Sequence, residues 1–224
     1  MPNLQRTLTP EILDSLPEGH PDAIHNRRDL RIFNALMGNF AWLERQLKKF
    51  SQKNDSILEL GAGDGGFGRQ LYRKSKSIKK CTFTGLDLWS RPKNWPKSWN
   101  WQQTDIRDED SYKGHSIVIG NMILHQFNDK DLAEIGTAVQ KEARLFVFNE
   151  TARSRLSLFL LPLTRLLGTN YVSNHDAKVS IESGFRGEEL ATLLGLDPNA
   201  WQWQAHSTSL GAYRFVARRR TLAF

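Results

Sequence analysis

Between residues 57 and 68 an apolar run ends in a cluster of glycines and carboxylates: Ile57-Leu58-Glu59-Leu60-Gly61-Ala62-Gly63-Asp64-Gly65-Gly66-Phe67-Gly68. Gly61, Gly63 and Gly66 fit the spacing G-x-G-x-x-G, which lets a backbone turn tightly and a nucleotide approach it closely. Such a turn usually sets a pyrophosphate against a helix N-terminus, where negative charge is favoured. Glu59, two residues before the first glycine, and Asp64, inside the turn, oppose a pyrophosphate by charge repulsion. They suit a nucleoside-like ligand that carries a positive charge and no phosphate. The competing reading is a glycine turn of purely structural use. Asp87 closes another apolar segment, 24 residues after Gly63. That spacing suits a carboxylate accepting from two ribose hydroxyls, and a strand-end cap is the plainer alternative. Farther on, His125 and His175 are the histidines best placed for acid–base work, since imidazole titrates near neutral pH.

These groups need elements to hold them. Strands are expected at 57–61, 81–87, 99–103, 115–121 and 144–150, from short apolar or alternating runs. Helices are expected at 66–77 and 129–143, the latter from Leu132, Ile135, Val139 and Ala143 on one face. Pro92 and Pro96 exclude a regular helix from 88–98, and the tryptophans of that loop are expected to seal the sheet edge. Before the first strand, residues 10–16 read as a short helix capped by Thr9, and 22–50 as a longer helix divided near Gly38-Asn39. After the fifth strand comes an excursion, 151–196. It holds a leucine-rich helix at 153–167 with a kink at Pro162, a turn-rich stretch at 168–176 that reads as a lid, and a helix from about 186 to 195. Segments 201–206 and 213–218 read as two strands joined by a turn containing Gly211.

Glu59-Leu60-Gly61-Ala62-Gly63-Asp64-Gly65 resembles the first motif of class I S-adenosylmethionine-dependent methyltransferases. The resemblance covers roughly 55–150. It implies an α/β, Rossmann-like sheet of seven mostly parallel strands, with a C-terminal antiparallel hairpin, helices on both faces and additional N-terminal helices. It divides the chain into a helical cap, 1–54, and a cofactor-binding domain, 55–224. It also implies that Glu59, Gly61, Ala62, Gly63, Asp64, Asp87, Leu88, Asp105, Ile106 and Asn121 hold S-adenosylmethionine, whose product is S-adenosylhomocysteine. In that pattern Asp105 accepts from the adenine amino group and Ile106 packs on the ring, although Asp105 also reads as a helix cap. The N-terminal helices of such enzymes often cover the substrate, which would bring His20, His25, Arg27, Arg28 and Asn39 toward it. Solvated side chains on a packed helix are the alternative for each.

The stretch Asn121-Met122-Ile123-Leu124-His125-Gln126-Phe127 is similar to methyltransferases acting on quinones, polyketides and other phenolic compounds. His175-Asp176 and residues 180–186 are similar to those associated with type III polyketide synthases and, more distantly, to quinone C-methyltransferases. The chain departs from the pattern at 88–98, where many relatives carry a short helix that bears on the adenine contacts. The implied reaction is methyl transfer to a phenolic, polyketide or quinol oxygen, with His125 as first candidate base and His175 as second; either could instead bind the substrate oxygen without moving a proton, and a satisfied histidine behind the cofactor is the alternative for His125. An RNA or protein methyltransferase and a non-catalytic cofactor-binding partner are the alternatives.

Composition bounds the remaining choices. The 224 residues are 39% hydrophobic and 25% charged, which suits a folded domain rather than general disorder. No apolar run approaches the roughly 18 residues of a membrane span, and the N-terminus has no apolar signal region. The single cysteine, Cys81, forms no internal disulfide and fits the cytoplasm. The six histidines stand apart from it, so no metal site is expected. The net charge is +7, yet the basic residues are scattered except for Lys79-Lys80 and Arg218-Arg219-Arg220, so nucleic acid is not the expected partner. A small, lipophilic acceptor and a monomer or homodimer are expected.

Overall fold

Runs of β-branched, aromatic and leucine residues, bounded by glycine, asparagine or aspartate, form seven strands in a computed structural model that describes residues 5–17 and 19–220. The first four residues of the expected cap and the last four of the chain lie outside the described residues. The strands are β1 (Ser56–Leu60), β2 (Thr82–Asp87), β3 (Asn100–Gln103), β4 (Ile117–Asn121), β5 (Leu145–Thr151), β6 (Trp201–Ser207) and β7 (Ala212–Arg219). They pair in the order β3-β2-β1-β4-β5-β7-β6, with β7 inserted antiparallel between β5 and the edge strand. The other pairs, β1–β2, β2–β3, β1–β4 and β4–β5, are parallel. Central strands buried on both faces read as nearly continuous apolar runs, as in Leu145–Phe148, whereas edge strand β6 alternates Trp201, Trp203 and Ala205 with Gln202, Gln204 and His206.

Helices cover both faces. On one, Leu132, Ile135 and Val139 of α4 (Asp129–Glu142) and Leu190 of α7 (Glu189–Leu193) pack with Phe146 and Phe148. On the other, Trp42, Leu43 and Leu47 of α2 (Asn39–Phe50) and Phe67 and Leu71 of α3 (Gly66–Lys74) pack with Ile57, Phe83 and Ile119. Helix α1 (Pro21–Leu36) meets α2 at Gly38, whose φ of +65° turns the chain where the sequence placed the division. Loop 88–98 has no helix, as its prolines required. Of its two tryptophans only Trp95 is buried, packed with Trp99 just beyond the loop, whereas Trp89 is 38% exposed; a side chain at Gly68 would collide with the Trp95 ring.

Four elements differ from expectation. Residues 10–16 contain a single 3-10 turn, Leu13–Ser15, with no side-chain cap, because the carboxylate of Asp176 takes the amides of Ile12 and Leu13. Helix α3 ends at Lys74, three residues early, and a 3-10 turn over Ile78–Lys80 follows. The leucine-rich segment is not one kinked helix: α5 (Arg155–Leu160) gives way to 3-10 turns over Leu161–Leu167, where Pro162 removes an amide donor. Most of the expected lid is helical. Asn170 accepts from the Ser173 amide at 2.8 Å and caps α6 (Tyr171–Ser183).

Strand order reverses between β1 and β4, so the carboxyl ends of these two strands flank a crevice. Helices α1, α5 and α6 close over that end.

Candidate functional site

At the crevice, β1 passes into a loop in which Gly61, Gly63 and Gly65 have φ of +63°, +55° and +74°. The amide of Gly63 donates to Oδ2 of Asp87 at 2.7 Å, and the amide of Trp89 donates to Oδ1 of Asp87 at 2.9 Å. The Ala62 amide donates to the Leu86 carbonyl at 3.0 Å. Asp87 thus ties the glycine loop to the turn after β2, and Leu88 beside it is exposed. Asp64 accepts from the Gly66 amide at 2.9 Å, with Arg69 at 3.5 Å and Arg31 at 3.9 Å.

Glu59 lies beneath the loop, buried, and its Oε2 has no hydrogen-bond partner. Burial, followed by the charges of Asp87 and Asp64, pushes its pKa up to about 8 against the pull of Arg69. The carboxyl therefore holds its proton at neutral pH, and the charge that repels a pyrophosphate comes from Asp64 and Asp87. A cation entering the cleft would favour the ionised form of Glu59.

Asp105 follows β3, as expected, but its carboxylate is engaged by Arg107: from the amide at 2.8 Å, Nε at 2.9 Å and Nη2 at 2.6 Å. The Arg107 hydrogen bonds are the main reason its pKa is lowered. Ile106 is buried in the core cluster of Leu60 and Leu86, and its carbonyl accepts from the Tyr112 hydroxyl at 2.6 Å.

Beyond β4, Asn121 donates to Asn34 Oδ1 at 3.0 Å and accepts from Asn149 at 3.0 Å, which fastens the strand end to α1. Met122 has φ of +56°, a conformation non-glycine residues rarely adopt. The chain is held there by its neighbours: the Met122 amide donates to the Asn149 carbonyl at 2.7 Å, and those of Ile123 and Leu124 to Glu150 Oε1 at 3.0 and 2.9 Å. The second oxygen of Glu150 meets His125 Nδ1 at 2.7 Å. His125 Nε2 faces Glu11 Oε1 at 3.4 Å, and that oxygen also accepts from the Ser180 hydroxyl at 2.5 Å. Burial alone would lower the His125 pKa, but Glu11 and Glu150 outweigh it and raise it to about 9. At neutral pH His125 is an imidazolium between two carboxylates, with no lone pair to take a proton. Burial likewise works against the Glu11 charge, yet His125 and Ser180 lower its pKa.

Glu11 and His125 border a cavity of about 210 Å³. Leu30 and Phe33 of α1, Met37 just after it, Met122, and Leu160 and Leu161 supply apolar wall; Asn26, Asp176 and Ser180 supply polar points. Asn26 is buried and its Oδ1 has no partner. The N-terminal segment is strapped across one side of the cavity. Asp176 accepts from the Ile12 and Leu13 amides at 2.8 and 3.1 Å, and the Thr7 amide donates to the Glu182 carbonyl at 3.1 Å. Arg6 donates to the carbonyls of Ser183 and Phe127 at 2.8 and 2.6 Å.

Of the histidines singled out by sequence, His125 borders the cavity and His175 does not. His175 pairs with Asp176 at 3.0 Å and faces Tyr171. The other candidates of the N-terminal helices are engaged elsewhere. His20 caps its helix, His25 meets the Gly168 carbonyl at 3.1 Å, Arg28 meets His25, Asn39 bonds Asn34, and Arg27 lies over the Trp89 ring. Sequence reading missed Glu11, Asn26 and Asp176 as cavity residues. Asn26 had a legible signal, being one helical turn before Leu30 and two before Phe33; Glu11 had none.

No protein-family model and no curated protein matches the chain by sequence. Its fold is shared with solved structures. Plantazolicin methyltransferase BpumL in complex with SAH aligns over 93% of each chain, with 11% identity and a TM-score of 0.70. Human N-acetylserotonin methyltransferase in complex with SAM aligns over 93% of this chain and 61% of that one, with 16% identity and a TM-score of 0.54. The methyltransferase domain of bacterial CtHen1 aligns over 80% of this chain and 96% of that one, with 11% identity and a TM-score of 0.53. These similarities establish the fold: the seven-stranded sheet with its antiparallel hairpin is the architecture expected from the glycine motif.

Proposed function

We propose that this chain transfers a methyl group from S-adenosylmethionine to a small, largely apolar acceptor held in the cavity under the N-terminal strap. The observation that carries the reading is a junction. A side chain at Gly61 would reach within 2.6 Å of Ile123, and the residue before Ile123, Met122, lines the cavity. Glycine loop and cavity wall therefore meet at one point of the crevice.

The residues of the cleft fit the cofactor. Asp87 offers two carboxylate oxygens to ribose hydroxyls, Asp64 and Asp87 carry the charge that favours a cation over a phosphate, and Glu59 Oε2 lacks a partner that a bound ligand could supply. In this reading Gly61, Ala62 and Gly63 offer backbone and Leu88 an exposed side chain to the cofactor, whereas Asp105 would have to exchange Arg107 for the adenine amino group, and Ile106 and Asn121 support the cleft from the core and the end of β4. S-adenosylmethionine, once bound, supplies a methyl group already activated on a sulfonium. The protein's own contribution is then chiefly alignment, which lowers barriers by roughly 7–11 kcal/mol in well-oriented reactions.

The acceptor in this reading is a phenolic, polyketide or quinol compound methylated at oxygen. Its apolar body meets Leu30, Phe33 and Met37, and Asn26 Oδ1 accepts a hydroxyl proton in a hydrogen bond. Glu11 is the nearest carboxylate to take the proton of the reacting hydroxyl. His125, anchored by Glu150, holds Glu11 in place and shares the proton with it. His175 has no part in this scheme. The methyltransferases that share the fold support the reaction type.

The direct test is incubation of the full chain with methyl-labelled S-adenosylmethionine and separated host fractions. Label in the organic extract is expected. Label in RNA or protein would overturn the acceptor class, and cofactor binding with no transfer to any fraction would identify a non-catalytic partner protein.

A further inference from the structure

Helix α5 and the 3-10 turns after it carry two apolar faces. Through Leu160 and Leu161 the inner face lines the cavity. The outer face is bare: Leu156, Phe159, Leu163 and Leu166 are 50%, 77%, 54% and 84% exposed. Leu156 and Phe159 lie on α5 and Leu163 and Leu166 on the 3-10 turns after it, each pair three residues apart, and all four are exposed within eleven residues. Scattered apolar side chains on a surface are ordinary, but four in one short segment mark a contact surface. Leu210, in the turn between β6 and β7, is 59% exposed and also borders the cavity, so apolar surface continues from outside to the cavity rim.

The charge carried by the segment itself has one sign. Exposed Arg155 and Arg165 lie on the same segment, and residues 151–175 contain no Asp or Glu, in a chain of net charge +7. Among the described residues no helix is long and apolar enough to cross a membrane, which leaves contact from one side. We propose that this exposed face docks on an anionic lipid bilayer, with α5 and the following turns lying in the plane of the headgroups. Leu156, Phe159, Leu163 and Leu166 enter the acyl boundary, and Arg155 and Arg165 meet lipid phosphates. A second copy of this chain fits less well, because it would set arginine rim against arginine rim. Given the methyl transfer proposed above, this placement lets a lipophilic acceptor pass from bilayer to cavity without crossing water. The docking itself does not depend on that reaction.

The test is sedimentation of the full chain with vesicles, of phosphatidylcholine alone and of equimolar phosphatidylcholine and phosphatidylglycerol. Binding to the mixed vesicles and weak binding to the neutral ones is expected. Phe159→Ser with Leu166→Ser should weaken binding by more than about tenfold, and Arg165→Glu by about tenfold. The substituted side chains are exposed, so unchanged thermal melting of each variant checks that the fold is intact. A wild-type chain that ignores anionic vesicles, or a double variant that binds them equally, overturns the proposal. So does a wild-type dimer in light scattering that the double variant loses, since a second copy then covers the face. Vesicle binding is read without cofactor or acceptor, so failure of the methyl-transfer reading would leave this result standing.

Discussion

Nδ1 of His125 lies 2.7 Å from Oε2 of Glu150, and both side chains are buried. The imidazole gains this partner only on folding, and with Glu11 it brings the His125 pKa from 6.5 to about 9. The raised pKa contributes stability that is complete below pH 6.5 and is lost as pH rises through about 9. The contribution is on the order of 3 kcal/mol. Denaturant unfolding across this window should show wild-type stability falling relative to His125→Gln, and parallel curves for the two would remove the assignment.

Glu59 titrates with a different consequence. Its carboxyl rises from 4.5 to about 8 on folding, so the unfolded chain ionises first. Stability is fully present below pH 4.5 and declines as pH climbs through about 8. Glu59→Gln should make the ligand-free protein more stable than wild type by a few kcal/mol near and above that upper value. The same change should weaken binding of S-adenosylmethionine. Thermal melts with and without the cofactor read both effects, and a variant that is neither stabilised nor impaired would show that the buried carboxyl is idle.

Asp87 joins two loops through the Gly63 and Trp89 amides. Removing it frees the glycine loop and deletes the acceptor for ribose. Asp87→Ala should lower affinity for S-adenosylhomocysteine by about a hundredfold, the loss of charge-assisted hydrogen bonds. Titration calorimetry measures this, and unchanged affinity would end the ribose assignment.

Glu11 and His125 should act on turnover rather than on the cofactor. Glu11→Gln is expected to lower kcat by about 10²–10³-fold while S-adenosylhomocysteine binds as before. His125→Gln should do the same and also shift the alkaline limb of the pH–rate profile. Equal losses of kcat and cofactor affinity would show that the pair merely supports the fold.

What the sequence revealed and what it concealed divide along distance in the chain. Glu59, the glycines and Asp87 were legible because a strand end, its turn and the next strand end fix their relation locally. The division at Gly38 was legible from one residue type. The partners of His125 were not: Glu11 lies 114 residues away and Glu150 lies 25. An isolated histidine suggests a base, and only tertiary packing showed it charged between carboxylates. The occupation of Asp105 by Arg107 is short-range yet depends on a rotamer, which spacing does not specify. The stretch at 168–176 misled because Asn170 and Gly168 are turn residues, and one of them starts a helix.

The strap has a consequence for assembly. Its amides at Ile12 and Leu13 leave the ribosome early, but their acceptor, Asp176, follows 164 and 163 residues later. Strands β1 and β2, with the glycine loop between them, can pair long before that. Synthesis thus supplies the glycine loop before the cavity, and Ile12 and Leu13 wait for a partner that emerges 164 and 163 residues after them.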